Sequence, residues 1–371
     1  MRCLADAKTR GPIIRSRKHC PEVHGRFDPG DSGDSRMRPL VSIVIPAYNA
    51  EGTIAEAVQS AIGQTWACKE IIVVDDGSTD RTAEIVDRFA PTVRLVSSRN
   101  RGLSAAVNLA VQHSNGDYIQ ELDADDLLTP DKIERQLSAL RPGDSKRILL
   151  SSQWARFYYR TRNARFENNA LCQDLSPVEW LLRKMGENLH MQNATWLVSR
   201  ELVEAAGPWD TRLNYDQDGE YFARVLSSSE GTRFVPGTGV FYRASGPGRI
   251  SYIGNSNQKK ESLLLSMQLQ IKYLLTLEDS ERTRSACVTY LQNWYENFYL
   301  ERSDLAAQAQ KIAAELGGSI EEPRLRWKFA WLRPLFGWGT AKWAQMTFPR
   351  MKASLLRSID KTMYSLGNSP N

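Results

Sequence analysis

A chain of 371 residues is long enough for one large domain with an appendage, or for two modest ones. With 42% hydrophobic and 25% charged residues it has the composition of a globular protein with a filled core. A net charge of +5 is small for this length, so no nucleic-acid partner is expected. The five cysteines, Cys3, Cys20, Cys68, Cys172 and Cys287, are odd in number and far apart, and none forms a C-x-x-C pair. They indicate neither a zinc site nor a disulfide framework, and a reducing compartment is the simplest expectation. No stretch approaches the roughly 20 apolar residues that a spanning helix needs. The charges scattered from Arg2 to Lys18 are unlike a signal peptide. A cytoplasmic protein is expected, with peripheral attachment to the inner face of a membrane as an option.

Residues 1–38 carry almost no apolar periodicity and are expected to form a disordered leader. Met37 offers an alternative natural start, which would make residues 1–36 dispensable. From Val41 the pattern changes. Val41-Ser42-Ile43-Val44-Ile45 is an apolar, β-branched run closed by Pro46, as a buried strand requires. Ile54, Ala57, Val58, Ala61 and Ile62 then recur at helical spacing. A second strand, 70–74, runs into Asp75-Asp76-Gly77-Ser78, and Thr79 or Asp80 can cap the helix that follows.

Strand 93–96, helix 103–111 and strand 118–122 complete four strand–helix alternations, with connections too long for hairpins. The fold class is therefore α/β, a mostly parallel sheet flanked by helices. A helix over 130–140 and strands over 147–152, 193–198 and 239–243 are expected next. From about residue 257 the chain turns helical, with further helix over 283–317.

The last segment, 323–371, holds nine Lys or Arg against a single acid, Asp360. Trp327, Trp331, Trp338 and Trp343 are interleaved with these charges. Basic residues with interfacial aromatics suit an anionic membrane surface. The competing expectation is a helical appendage with a basic solvated face and its tryptophans in the core.

Parallel sheets bind ligands at the carboxyl ends of their strands. Polar residues gather at three such ends: Pro46-Ala47-Tyr48-Asn49, Asp75-Asp76-Gly77-Ser78 and Asp123-Ala124-Asp125-Asp126. Taken singly, each is also ordinary turn or cap chemistry. Three carboxylates within four residues repel one another unless a cation is present. Oxygen-only ligands select a hard ion, Mg²⁺ or Mn²⁺, which typically bridges protein carboxylates to substrate phosphates. The competing reading of this cluster is an acidic helix N-terminus. Neither a P-loop nor a dinucleotide-binding glycine motif is present, so side chains and metal are expected to hold any nucleotide.

Residues 41–49, 74–80 (Val-Asp-Asp-Gly-Ser-Thr-Asp), 100–104 (Asn-Arg-Gly-Leu-Ser) and 122–126 (Leu-Asp-Ala-Asp-Asp) together resemble the family 2 glycosyltransferases of the GT-A fold, over roughly residues 39–245. The resemblance implies inverting transfer from a nucleotide-activated sugar, with a UDP-sugar the usual donor and a glycan or lipid-linked acceptor. It implies that Pro46, Tyr48 and Asn49 line the nucleoside pocket and that Asp76 reads the base. Arg101 belongs to the nucleotide-sugar-binding set, and Asp123 and Asp125 engage ribose, diphosphate and metal. The family's base motif matches Gly207-Pro208-Trp209-Asp210 followed by Tyr215-Asp216-Gln217-Asp218, which makes Asp218 the implied catalytic base.

Three positions depart from the family pattern. Gln217 stands for the usual Glu, Val107 stands where an Arg is common, and Ser245 stands where a His is often found. Among the histidines only His190 is placed to face an acceptor. The expected organisation is a leader to residue 38, a GT-A domain over 39–255, and a helical region over 256–371. The rival readings are a sugar nucleotidyltransferase and a degenerate, non-catalytic sugar-nucleotide-binding protein.

Overall fold

The computed structural model describes residues 38–244, 253–254, 256–299, 301–323 and 327–367. The expected leader, Met37 and Ser245 lie outside the described residues.

Strand β1 (Val41–Ala47) is buried along its whole length, which is why its sequence is an unbroken apolar run. Helix α1 (Ile54–Ile62) buries Ile54, Ala57, Val58 and Ala61, the stripe read from the sequence. The chain continues through β2 (Lys69–Asp75), α2 (Thr82–Asp87), β3 (Val93–Ser97), α3 (Leu103–Gln112) and β4 (Tyr118–Glu121). The N-cap of α2 is Arg81, which makes no side-chain cap bond, and Asp80 before it accepts the Thr82 N–H at 2.9 Å. Strand β1 pairs in parallel with β2 on one side and β4 on the other. The winding direction therefore reverses between β1 and β4, which opens a crevice at their carboxyl ends.

After β4 come β5 (Leu127–Leu128), α4 (Lys132–Ser138), β6 (Ile148–Phe157), α5 (Pro177–Gly186), β7 (Val198–Ser199), α6 (Arg200–Ala206), α7 (Gln217–Ser228) and β8 (Gly231–Arg243). The first sheet has the order β3-β2-β1-β4-β7, with β7 antiparallel to β4. A second sheet, β5-β8-β6, pairs β6 and β8 in parallel around a register shift at Ser152/Gln153. Gly239 is required there, because a Cβ would stand 1.8 Å from the Gln153 carbonyl oxygen.

The strand expected over 193–198 is corrected. Residues 193–195 form a tight 3₁₀ turn, and only Val198–Ser199 pair with β4. The cause is local: the Gln192 side chain accepts the Ala194 N–H at 2.6 Å, and Thr195 Oγ1 donates to the Gln192 carbonyl at 2.6 Å. Side-chain bonds of this kind offer the backbone an alternative to the ladder.

Helices α8 (Asn257–Leu277), α9 (Glu281–Trp294) and α10 (Ser303–Glu315) follow. They are not a detached appendage: Leu263, Leu264, Met267, Ile271 and Leu274 belong to the same continuous core as β1. Helix α11 (Trp327–Ala330) and α12 (Leu332–Gly367) end the described chain, and α12 is broken at Gly337, whose φ is 78°. Cys172 and Cys287 are free thiols.

Candidate active site

The first two strand ends are laced together by short polar bonds. Asn49 adopts φ 48°, a left-handed conformation that Asn tolerates better than most residues. Its N–H donates to Ser78 Oγ at 2.9 Å, and its Oδ1 accepts the Thr79 N–H at 2.8 Å. Pro46 is buried within β1, while Tyr48 beside it is 51% exposed. Asp76 is buried and accepts the backbone N–H groups of Arg101 at 3.0 Å and Gly102 at 2.8 Å, besides Ser98 Oγ at 3.0 Å. Its carboxylate thus fixes the loop entering α3 and leaves the Arg101 side chain exposed.

At the end of β4, carboxylate oxygens of Asp123, Asp125 and Asp126 lie within 4.8 Å of one another. Asp126 is wholly buried, and its oxygens accept the Arg243 N–H at 2.8 Å and Gln192 Nε2 at 2.7 Å. Asp126 therefore ties the end of β8 to the 192–195 turn. Asp123 and Asp125, which are only partly buried, form the face of the cluster suited to a ligand. A clustered set of oxygen donors fits a hard divalent cation. Arg243 braces the same loop from behind, its Nε donating to the Asp125 carbonyl at 2.7 Å.

Glu121 was read from the sequence only as strand. It is the last residue of β4 and stands two residues before Asp123. Asn193 Nδ2 reaches Glu121 Oε1 and Asp123 Oδ1, each at 3.4 Å. Burial, then the charges of Asp123 and Asp218, hold the Glu121 carboxyl well above its ordinary range. Asp218, from α7, therefore converges on the end of β4 although nearly a hundred residues separate them in sequence.

Asp218 sits in the first turn of α7, two residues after its N-cap Asp216, whose φ is 56°. Helix α8 holds Asp216: Ser266 Oγ donates to its carboxylate at 2.7 Å and Gln270 Nε2 at 2.8 Å. Gly219 permits this packing, since a Cβ there would meet Asp216 Oδ1 at 2.4 Å. Lys184 of α5 donates to Gln270 Oε1 and lies in the field of both aspartates. Burial raises the Asp218 carboxyl, and Lys184 pulls it back down.

Lys184, Gln270 and Ser266 gave no motif signal, because they reach the site only through the packing of α5 and α8. His190 lies beside this group, edge-on to Trp154 at 5.7 Å. The His190 side chain reaches solvent at its rim, and the protein atoms crowded around the ring, with the charge of Lys184, push its pKa down to about 4.

Two of the departures can be placed. Val107 is 2% exposed and packs in the core, where an arginine would disrupt the sheet–helix contact. Next to it, Asn108 pins the 207–210 segment, its Oδ1 accepting the Trp209 N–H at 2.8 Å and its Nδ2 donating to the Trp209 carbonyl at 2.9 Å. Gln217 is buried, and its Oε1 has no hydrogen-bond partner among the described residues.

Comparison with known proteins agrees with this geometry. The family model described as Glycosyl transferase family 2 matches residues 42–193. The hyaluronan synthase of Pasteurella multocida is 33% identical over 217 residues, covering 55% of this chain and 22% of the synthase. The chain spans less than two thirds of the length of that synthase and of the other curated relatives it matches most strongly. Among solved structures, S. aureus TarS 1–349 in complex with UDP-GlcNAc superposes with a TM-score of 0.58 at 17% identity, covering 75% of this chain and 81% of that one. The mannosyltransferase PcManGT from Pyrobaculum calidifontis, in complex with GDP-Man and Mn²⁺, has a TM-score of 0.50 at 20% identity, covering 88% of each chain. Ordered motifs, sheet topology and named relatives therefore agree: residues 42–193 match the family 2 glycosyltransferases, and the chain has a GT-A fold.

Proposed function

We propose that the chain is a metal-dependent, inverting hexosyltransferase that moves a sugar from a nucleotide sugar, a UDP-sugar in the first instance, to a glycan or lipid-linked acceptor in surface polysaccharide or glycoconjugate synthesis. The observation that supports this reading is the cluster of Asp123, Asp125 and Asp126 oxygens within 4.8 Å at the end of β4, with the charge of Asp218 acting on Glu121 in the same strand. It sets a candidate base beside a candidate diphosphate site. Pro46, Tyr48 and Asn49 line the nucleoside pocket, Asp76 faces the base from the loop that it organises, and Arg101 reaches the nucleotide sugar.

Asp123 and Asp125 would hold Mg²⁺ or Mn²⁺, which neutralises charge on a departing diphosphate when bound. Asp218 takes the proton of the acceptor hydroxyl as that oxygen attacks the anomeric carbon. The bond from that carbon to the diphosphate oxygen breaks, and the electron pair leaves with the nucleoside diphosphate. The neutral His190 ring and the Trp154 edge flank this acceptor side.

The work is done in the cytoplasm, with the C-terminal helices seated on the inner face of an anionic membrane. Incubation with UDP-sugars and Mn²⁺ tests the chemistry. Release of nucleoside diphosphate with a glycosylated product is expected. Release of pyrophosphate would mean a nucleotidyltransferase, and tight binding without turnover of any donor would mean a non-catalytic sugar-nucleotide-binding protein.

A further inference from the structure

Helix α12 presents two unlike faces. On the outward face Phe348, Met351, Leu355, Ile359, Met363 and Leu366 recur every three or four residues, each at least half exposed. Such spacing makes one continuous stripe. Across the break at Gly337, Trp331, Leu335 and Phe336 add apolar surface exposed by 59%, 67% and 60%. The side chains of Trp327, Trp338 and Trp343 lie outside the described residues. This much exposed apolar surface on one element marks an interaction site, and it departs from the expectation of a basic outer face over an aromatic core.

Charge identifies the occupant. The segment from 323 to 371 carries nine Lys or Arg and one acid. That acid, Asp360, is turned inward, where it pairs with Arg160 Nε at 2.6 Å and accepts the Tyr159 N–H at 2.9 Å. Lys352 and Lys361 stay exposed beside the stripe. The described part of this segment therefore offers apolar and positive groups to its surroundings. A two-fold contact with a second copy would bring like charges together, whereas an anionic lipid surface satisfies both features. No described helix is long and apolar enough to cross a membrane, so the contact is one of lying on the surface.

The inward face of α12 leads to the active site. Tyr364 Oη donates to Glu56 Oε1 at 3.2 Å, and Glu56 is paired with Arg243. Arg243 in turn holds the Asp125 carbonyl and the Asp126 carboxylate. We propose that the apolar stripe of α12 rests on an anionic bilayer while its opposite face, through Asp360 and Tyr364, keys that surface to the loop carrying Asp125 and Asp126. The first half of this inference stands on the helix alone, and only the link to catalysis rests on the glycosyltransferase reading. The acceptor class it favours is a lipid-linked glycan presented at the bilayer surface.

The test uses the full chain with vesicles of phosphatidylcholine alone or mixed with phosphatidylglycerol. Cosedimentation with the anionic vesicles is expected, weakening as salt is raised. The double variant Leu355→Ser/Ile359→Ser, altered only at exposed positions, should bind at least about tenfold more weakly. Equal binding by the variant, absence of binding by the wild type, or a change of oligomeric state in place of lost vesicle binding would overturn the proposal. Donor hydrolysis by the same variant in vesicle-free buffer separates the two readings: unchanged hydrolysis leaves the catalytic assignment intact whatever the vesicles show.

Discussion

Lys184 on α5 is the cation that opposes the cost of burying Asp218 on α7. The same amine donates to Gln270, which holds Asp216, so one lysine governs the charge state of both aspartates. Asp216 adds like charge near Asp218, while the pKa of His190, beside Asp216, is lowered to about 4 by the protein around it and by Lys184. A base must be ionised to accept a proton, so the rate falls as pH drops through its pKa. Removing Lys184 removes the downward pull, and the pKa of Asp218 rises. Lys184→Met should therefore move the acid limb of kcat/KM to higher pH, and Lys184→Arg should restore it in part. A pH–rate profile measures this; an unmoved limb with a uniformly lower rate would reduce Lys184 to a packing role.

Asp218→Asn retains shape and removes the proton acceptor. Donor binding should survive, because the nucleotide side is built from β1, β2 and β4. Turnover should fall by about 10²–10⁴-fold, the usual contribution of a positioned base. Nucleotide-induced thermal shifts measured alongside nucleoside diphosphate release distinguish the two effects, and full activity in Asp218→Asn would remove the assignment.

These two residues mark the limit of what the sequence makes legible. The parallel sheet was readable because β1 and β2, buried on both faces, must be continuous β-branched runs. The three polar strand ends then followed from the direction of the strands. Asp218 was reached only through a motif resemblance, and Lys184, Gln270 and Ser266 were not reached at all. Their positions depend on α5 and α8 packing against the start of α7, which carries no local signature. The 192–195 turn was misread as strand for a related reason: side-chain bonds from Gln192 and Thr195 outweigh the apolar appearance of the segment.

Within the acidic cluster, Asp125 and Asp126 should respond differently to substitution. Asp125→Ala should leave unfolding in chelator nearly unchanged and abolish the stabilisation by Mn²⁺ with nucleoside diphosphate, since only a bound ligand raises the folded state's stability. Asp126→Asn places an amide where the Arg243 N–H and Gln192 Nε2 both need acceptors. It should cost about 1–3 kcal/mol even without metal. Thermal unfolding with and without Mn²⁺ separates the pair, and a metal-dependent shift retained in Asp125→Ala would exclude it as a ligand.

The link between α12 and the catalytic domain makes a prediction about local stability. Asp360→Asn weakens the pairing with Arg160, which is largely shielded from solvent, and Tyr364→Phe removes the hydroxyl bonded to Glu56. Neither change touches the sheet core, so the global unfolding transition should move little. The α12 amides should instead exchange faster in the double variant, because the helix opens independently when its few anchors are lost. Hydrogen exchange resolved by segment reads this directly. The loop at 123–126 should also gain exchange, since Glu56 loses the Tyr364 hydroxyl on one side while pairing with Arg243, which braces Asp125, on the other. Faster exchange confined to α12, with an unaltered 123–126 loop, would show that the helix is attached to the domain without being coupled to its carboxylates.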